Sequence, residues 1–128
     1  MFRVILVSGS QSLKDAQWVK SILKQYPCQL MIFGDAVGVD TIAWEYCEEN
    51  HIPYLCFEAN WALYKKGAGV IRNEEMVRQL SEKDDLVLIF LDGATPGTMD
   101  TYKRAKKKRL NTKVFQYRNG LMGYVKAI

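Results

Sequence analysis

The chain has 128 residues, 48% of them apolar and 25% charged, with a formal net charge of +4 and a pI near 9.0. That is the make-up of one soluble globular domain, long enough to build a core without metal or disulfide staples. Cys28, Cys47 and Cys56 are odd in number and form no CxxC pair, and His51 is the single histidine, which argues against a disulfide framework and a zinc centre.

From Met1 the chain enters a strand-like run at once, which leaves no room for the basic and apolar regions of a signal peptide. The apolar runs 4–7 and 86–91 are too short to span a bilayer. A cytoplasmic protein with no membrane partner is expected.

Residues 3–8 read as a buried strand, because Val4, Ile5, Leu6 and Val7 follow one another without a polar break. The turn Ser8-Gly9-Ser10-Gln11-Ser12 leads to a helix expected to run to about Tyr26, with Trp18, Val19, Ile22 and Leu23 on its apolar stripe. A second strand, 29–33, ends at Gly34. Gly38-Val39-Asp40 opens a second helix that ends near Asn50, so that His51 reads as a helix end rather than a catalyst. Residues 54–57 form a short third strand. A long loop is then expected over 58–69, before a helix at 71–80 and a polar break at 81–85. The most apolar strand, 86–91, ends in Asp92-Gly93. A turn at 94–97 leads to a helix over about 98–109, a fifth strand at 113–117, and a tail, 118–128, that either adds an edge strand or lies across the domain.

Strands alternating with helices imply an α/β fold: a single Rossmann-like, doubly wound domain over residues 1–128. The five-stranded, mainly parallel sheet should have the order 3-2-1-4-5. Ligands of such sheets sit beyond the carboxyl ends of the strands, where the winding reverses, here between strands one and four.

The turns facing that point carry the candidate chemistry. Gly9 and Ser10 precede a helix, where unpaired N–H groups favour an anion; the plain alternative is that Ser10 or Ser12 caps the helix. Gly34 and Gly38, four apart at a strand-to-helix junction, would let a backbone approach something closely. Neither the GxGxxG fingerprint nor the GxxxxGK[ST] loop is present. Asp40, in the first helical turn, either complements the dipole or holds a ribose hydroxyl. Gly97-Thr98 offers two backbone donors and a hydroxyl for a phosphate, with Asp100 following in the first turn.

The expected long loop holds Trp61, a flat face for a base, and leads to Arg72, which can grip a phosphate with two parallel hydrogen bonds, and Asn73. Connections in α/β units usually run roughly 2–6 residues, so a longer one points to function. The alternative for Trp61 and Arg72 is a clamp that packs the loop onto the domain. The basic run Lys103-Arg104-Ala105-Lys106-Lys107-Lys108-Arg109 lacks interleaved aromatics, so a solvated face is favoured over a nucleic-acid patch.

Taken in order, these motifs resemble the SLOG superfamily, the Rossmann-like domains related to the lonely-guy phosphoribohydrolases and DNA-processing protein A. The nearest branch is the small YspA-like, YpsA-related one. The residues that carry the resemblance are Gly9-Ser10; Gly34, Ala36, Gly38 and Asp40; Ala59 and Trp61; Ala68, Gly69, Arg72, Asn73 and Met76; and Gly97-Thr98 with Asp100. They cover nearly the whole chain except the tail. Gln11 stands where that family's first turn usually has Arg, and Asn60 where it has Asp before Trp61. Thr101 stands where the phosphoribohydrolases place their glutamate, and Asp100 points about a hundred degrees around the helix from that position.

The resemblance therefore implies recognition of a nucleotide or an ADP-ribose-like relative more than it implies turnover. Gly9, Ser10, Gly97, Thr98 and Arg72 would hold phosphate; Gly34 and Gly38 would admit the ribose or base. Trp61 would stack on the ligand, while Asp40, Asn73 and Asp100 would read hydroxyls or brace the loops. No metal is expected. The rivals are an N-glycosidic hydrolase using Asp100 or Asp40, a nucleic-acid-binding module, and an interaction domain. The tail residues Leu121, Met122, Tyr124, Val125 and Ile128 either form a homo-oligomer interface or finish the core.

Overall fold

Consecutive apolar residues can be buried on both faces of a sheet only if helices cover both sides, and the chain is built that way. In a computed structural model, which describes residues 1–93 and 96–117, the strands are β1 (Phe2–Gly9), β2 (Cys28–Gly34), β3 (Tyr54–Phe57), β4 (Leu86–Leu91) and β5 (Thr112–Gln116). They form one all-parallel sheet in the order β3-β2-β1-β4-β5. The helices are α1 (Ala16–Leu23), α2 (Val39–Asn50), α3 (Trp61–Tyr64), α4 (Ala68–Arg78) and α5 (Pro96–Lys107). The strand order and doubly wound architecture are those expected from the sequence.

Alternation along each strand divides the core in two. Ile5 and Val7 of β1, with Met31, Phe33, Leu88 and Phe90, pack under α1 and α2. Val4 and Leu6, with Ile32, Val87, Ile89 and Val114, pack under Met76 and Val77 of α4 and Ala105 of α5. At the amino-terminal end of the sheet the fully buried carboxylate of Asp85 ties the two central strands together. It accepts from the N–H groups of Val4 (3.1 Å) and Ser81 (2.6 Å) and pairs with Arg3.

The strand ends lie within a residue of the sequence reading, and three helical segments differ from it by more, each for a local reason. The first helix starts at Ala16 and ends at Leu23, and its cap is Asp15, whose Oδ1 accepts from Trp18 N–H at 3.1 Å. Ser10 cannot cap it, because Ser10 is drawn into the sheet: its N–H donates to Phe90 O (3.0 Å) and its hydroxyl accepts from Asp92 N–H (2.9 Å).

The segment read as a long open loop over 58–69 is largely helical. Asn60 caps α3 by accepting from Leu63 N–H (3.0 Å), a 3-10 turn follows at Lys65–Gly67, and α4 begins at Ala68, before the expected residue 71. The last helix starts at Pro96, a residue preorganised for a first helical position, and ends at Lys107.

His51 closes α2 in the left-handed conformation, φ 55°, as a helix-end residue. The tail called as an edge strand or interface, 118–128, lies outside the described residues.

Candidate ligand-binding crevice

β1 and β4 are neighbours in the sheet, yet β1 leads to α1 on one face and β4 to α5 on the other. Their carboxyl ends therefore diverge and leave a crevice at the switch point. An inner cavity of about 360 Å³ opens there, bounded by Gly9, Gln11, Asp40, Arg72, Asn73 and the first turn of α5. It runs into an outer chamber of about 520 Å³ that shares Gln11, Ala36, Arg72, Asn73, Pro96 and Gly97 with it and ends at Trp61 and Lys66.

The polar wall of the crevice is one connected network. Arg72, on α4, donates through Nη1 to Asp35 Oδ1 (2.7 Å) and through Nε to Asn73 Oδ1 (3.1 Å). Asn73 turns its amide nitrogen to Gly97 O (3.2 Å) and to Asp100 Oδ2 (3.1 Å). Asp100 also accepts from Arg104 Nε at 2.9 Å. Helix α4 is thus tied to the β2–α2 turn on one side and to the start of α5 on the other. All of these side chains are held before any ligand arrives.

Asp40 is the buried acid of the inner cavity, 8% exposed. Its Oδ2 accepts from Ala36 N–H at 3.2 Å. Burial pushes its carboxyl up to about 6; the Ala36 N–H and the Arg72 guanidinium pull the other way, and the Asp35 charge adds to the rise.

The glycines divide into two kinds, which corrects the expectation that Gly34 and Gly38 leave room for a ligand. A Cβ on Gly34 would lie 2.6 Å from Arg72 Nη1 and 2.9 Å from Asp40 Oδ2, so the missing side chain makes a seat for these two residues. A Cβ on Gly38 would meet the backbone of Ser10 and Gln11 at 2.6 Å, and Gly38 also needs φ +82°. A Cβ on Gly9 would meet Phe90 O and Val39 Cγ2 at 2.5 Å. Protein atoms fill the space over all three. Gly97 differs, since among the described residues nothing stands within 4 Å of the place a Cβ would take.

The structure brings Gly9, Asp40, Arg72, Asn73, Gly97 and Thr98 together around the inner cavity, with Trp61 and Asp100 on the outer chamber. Ser10 is not among the lining residues; it is fully buried as a brace between β1 and β4. Thr98 is buried at the cavity wall in the first turn of α5, where helical N–H groups have no intrahelical partner.

Thr101 is fully buried away from both chambers, and its hydroxyl has no partner among the described residues. Trp61 is 57% exposed, with its Cη2 3.6 Å from the place a Cβ on Gly69 would take. Sequence reasoning gave no role to Asp35 or to Lys66, both of which line the outer chamber. Asp35 stands out in sequence only as the one charged residue between two glycines, and its partner Arg72 shows only in the fold; Lys66 carries no signal beyond its charge.

The basic run lies at the far end of α5. Lys108 Nζ donates to the carbonyls of Val77 (3.1 Å), Arg78 (3.3 Å) and Leu80 (2.6 Å), closing the carboxyl end of α4. Arg104 pairs with Asp100 and Glu74. No three His, Cys, Asp or Glu side chains cluster as a metal site among the described residues, and no described helix is long and apolar enough to cross a membrane.

No family model matches the chain. It is similar to the Gene 61 protein of Mycobacterium phage D29, with 35% identity over 116 residues, covering 82% of this chain and 90% of that protein.

Proposed function

The chain belongs to the family of the Gene 61 protein of Mycobacterium phage D29, and we propose that it binds a nucleotide or nucleotide-derived small molecule in the crevice between β1 and β4, as a sensor or sequestering domain of the SLOG kind. The observation that carries the reading is the crevice wall. The first turn of α5, the guanidinium of Arg72, the buried carboxyl of Asp40 and the exposed face of Trp61 all border one continuous space. Each matches a part of a nucleotide. Helical N–H groups at Gly97 and Thr98 suit a phosphate. Asp40 and Asn73 suit sugar hydroxyls, and Trp61 suits a base.

Native mass spectrometry after incubation with AMP, ADP-ribose and cyclic ADP-ribose tests the reading. An intact adduct that disappears in Arg72→Ala is the expected result. The absence of any adduct with these compounds would overturn it for this ligand class and turn attention to nucleic acid and the basic end of α5.

A second reading, hydrolysis of an N-glycosidic bond, is favoured by one observation. Asp40 is an acid held buried with a raised pKa in the inner cavity, whereas Asp100 is already engaged by Asn73 and Arg104. Water would add to the sugar carbon while the base departs with a proton, and Asp40 rather than Asp100 would mediate the proton transfer. Free base accumulating with the parent but not with Asp40→Asn, while both still bind, would be its signature.

A further inference from the structure

Helical spacing brings two short rows of side chains together where α4 and α5 lie side by side. Glu74, Val77 and Arg78 of α4 stand a turn apart, as do Arg104, Lys107 and Lys108 at and just past the end of α5. They line a groove of about 450 Å³ that shares no residue with the two chambers of the crevice. Val77 is its apolar floor, and four cations and one carboxylate border it. That carboxylate is shared: Glu74 Oε1 accepts from Arg78 Nη2 at 3.0 Å, and Oε2 lies 3.7 Å from Arg104 Nη1. Guanidiniums from neighbouring helices thus converge on one carboxylate-sized position. Lys107 is exposed and has no ion-pair partner among the described residues.

We infer that this groove docks an acidic segment of a partner protein, with an apolar side chain seated on Val77 and carboxylates meeting Arg78, Arg104 and Lys107. A carboxylate is the anion that the two arginines already hold, and an apolar floor rewards a buried side chain rather than a phosphodiester. A nucleic-acid track calls instead for a row of unpaired cations and for aromatic faces, and no aromatic residue lines the groove. The docking surface goes beyond the nucleotide reading; its link to the crevice rests on that reading. Arg104 donates through Nε to Asp100 (2.9 Å), Asp100 accepts from Asn73 (3.1 Å), and Asn73 Oδ1 accepts from Arg72 Nε (3.1 Å). An acidic residue that draws Arg104 from Asp100 alters the wall that a nucleotide meets. By linkage, a nucleotide on that wall alters docking in the groove by the same factor.

The test is a selection of displayed random short peptides on the full chain. The best synthetic peptide is then titrated, by fluorescence anisotropy, with the parent, Lys107→Glu and Lys24→Glu. Both variants change the net charge equally, but Lys24 lies just past α1, on the opposite face of the sheet. The selected peptides should carry Asp or Glu on both sides of an apolar residue. Lys107→Glu should weaken binding about tenfold or more, and Lys24→Glu by less than about twofold. Selection of no peptide, peptides without that pattern, or binding that falls no further in Lys107→Glu than in Lys24→Glu would overturn the docking surface. A single-stranded oligodeoxythymidine that displaces the peptide, binds more tightly and is lost in Lys107→Glu would overturn the acidic partner in favour of nucleic acid. Saturating AMP should change the affinity for the peptide about fivefold or more. No change with AMP bound would overturn the link alone. Failure of AMP to bind would overturn the link with the nucleotide reading and leave the docking surface standing.

Discussion

Arg72 lies across Gly34: a Cβ built on that glycine would stand 2.6 Å from the guanidinium Nη1. The contact joins the end of β2 to the middle of α4 and fixes the cationic wall of the crevice. A glycine in a strand-to-helix turn is usually read as room for a ligand, but here the room is taken by the arginine that would meet the ligand.

The two glycines of that turn should therefore respond differently to Ala. In Gly34→Ala the new methyl meets the flexible end of Arg72 and the tip of Asp40, which can shift. Stability should fall by no more than about 1 kcal/mol while the crevice loses its ligand. In Gly38→Ala the methyl meets backbone oxygens at 2.6 Å in a chain held at φ +82°, and the loss should be about 2–3 kcal/mol or more. Urea unfolding of the two variants, with binding measured beside it, distinguishes them. Equal stability losses would contradict the assignment.

Asp40 should make the fold more stable in mild acid. Its folded pKa is raised from 3.8 to about 6, so between those values the folded chain binds more protons than the unfolded one. Stability then falls as pH rises through that window, and the full cost, on the order of 3 kcal/mol, is present above it. Asp40→Asn removes the titrating charge and keeps an acceptor for Ala36 N–H. It should be more stable than the parent at pH 7–8 and lack this part of the pH slope. Denaturation curves from pH 4 to 8 measure both, and parallel pH profiles for parent and variant would refute the prediction.

Trp61 should matter to binding and not to folding. At 57% exposure it contributes little to the core, so Trp61→Ala should shift stability by less than about 0.5 kcal/mol. Loss of a stacking surface should weaken binding of a base-containing ligand by about 1–3 kcal/mol, about fivefold or more. Thermal melts and titrations of the same samples give both values. A melting point well below the parent's would return Trp61 to the role of a clamp.

Within the basic run, Lys108 should stand apart. Its ammonium serves three carbonyls at the end of α4, so Lys108→Ala should cost about 1–2 kcal/mol by leaving them without that donor. Alanine at Lys103, Lys106 or Lys107 should change stability by less than about 0.5 kcal/mol. Chemical denaturation of the four single variants tests the contrast, and four equal losses would contradict it.

The fold was legible because the apolar runs at 4–7 and 86–91 have no polar break and helix-period stretches separate the strands. Less legible were features set by tertiary contacts. Ser10 looks like a helix cap in sequence, but Phe90 and Asp92, far along the chain, claim it for the sheet. The short helix at Trp61–Tyr64 has only Asn60 to announce it and was read as loop. Of the candidate site residues, most were found from their place at strand ends. The gap was in what faces them: no pattern in a single chain tells whether a ligand, Arg72 or a backbone oxygen fills the space over a glycine. Asp35 was missed for the same reason, since its meaning comes from Arg72, 37 residues further along the chain.

The most direct test of the crevice as a nucleotide site is a ¹H–¹⁵N correlation spectrum recorded during titration with AMP. The amides of Gln11, Ala36, Gly97 and Thr98 and the indole N–H of Trp61 should move together and saturate at one affinity, as they line one continuous space. Shifts confined to the basic end of α5, or no shifts at all, would contradict the account.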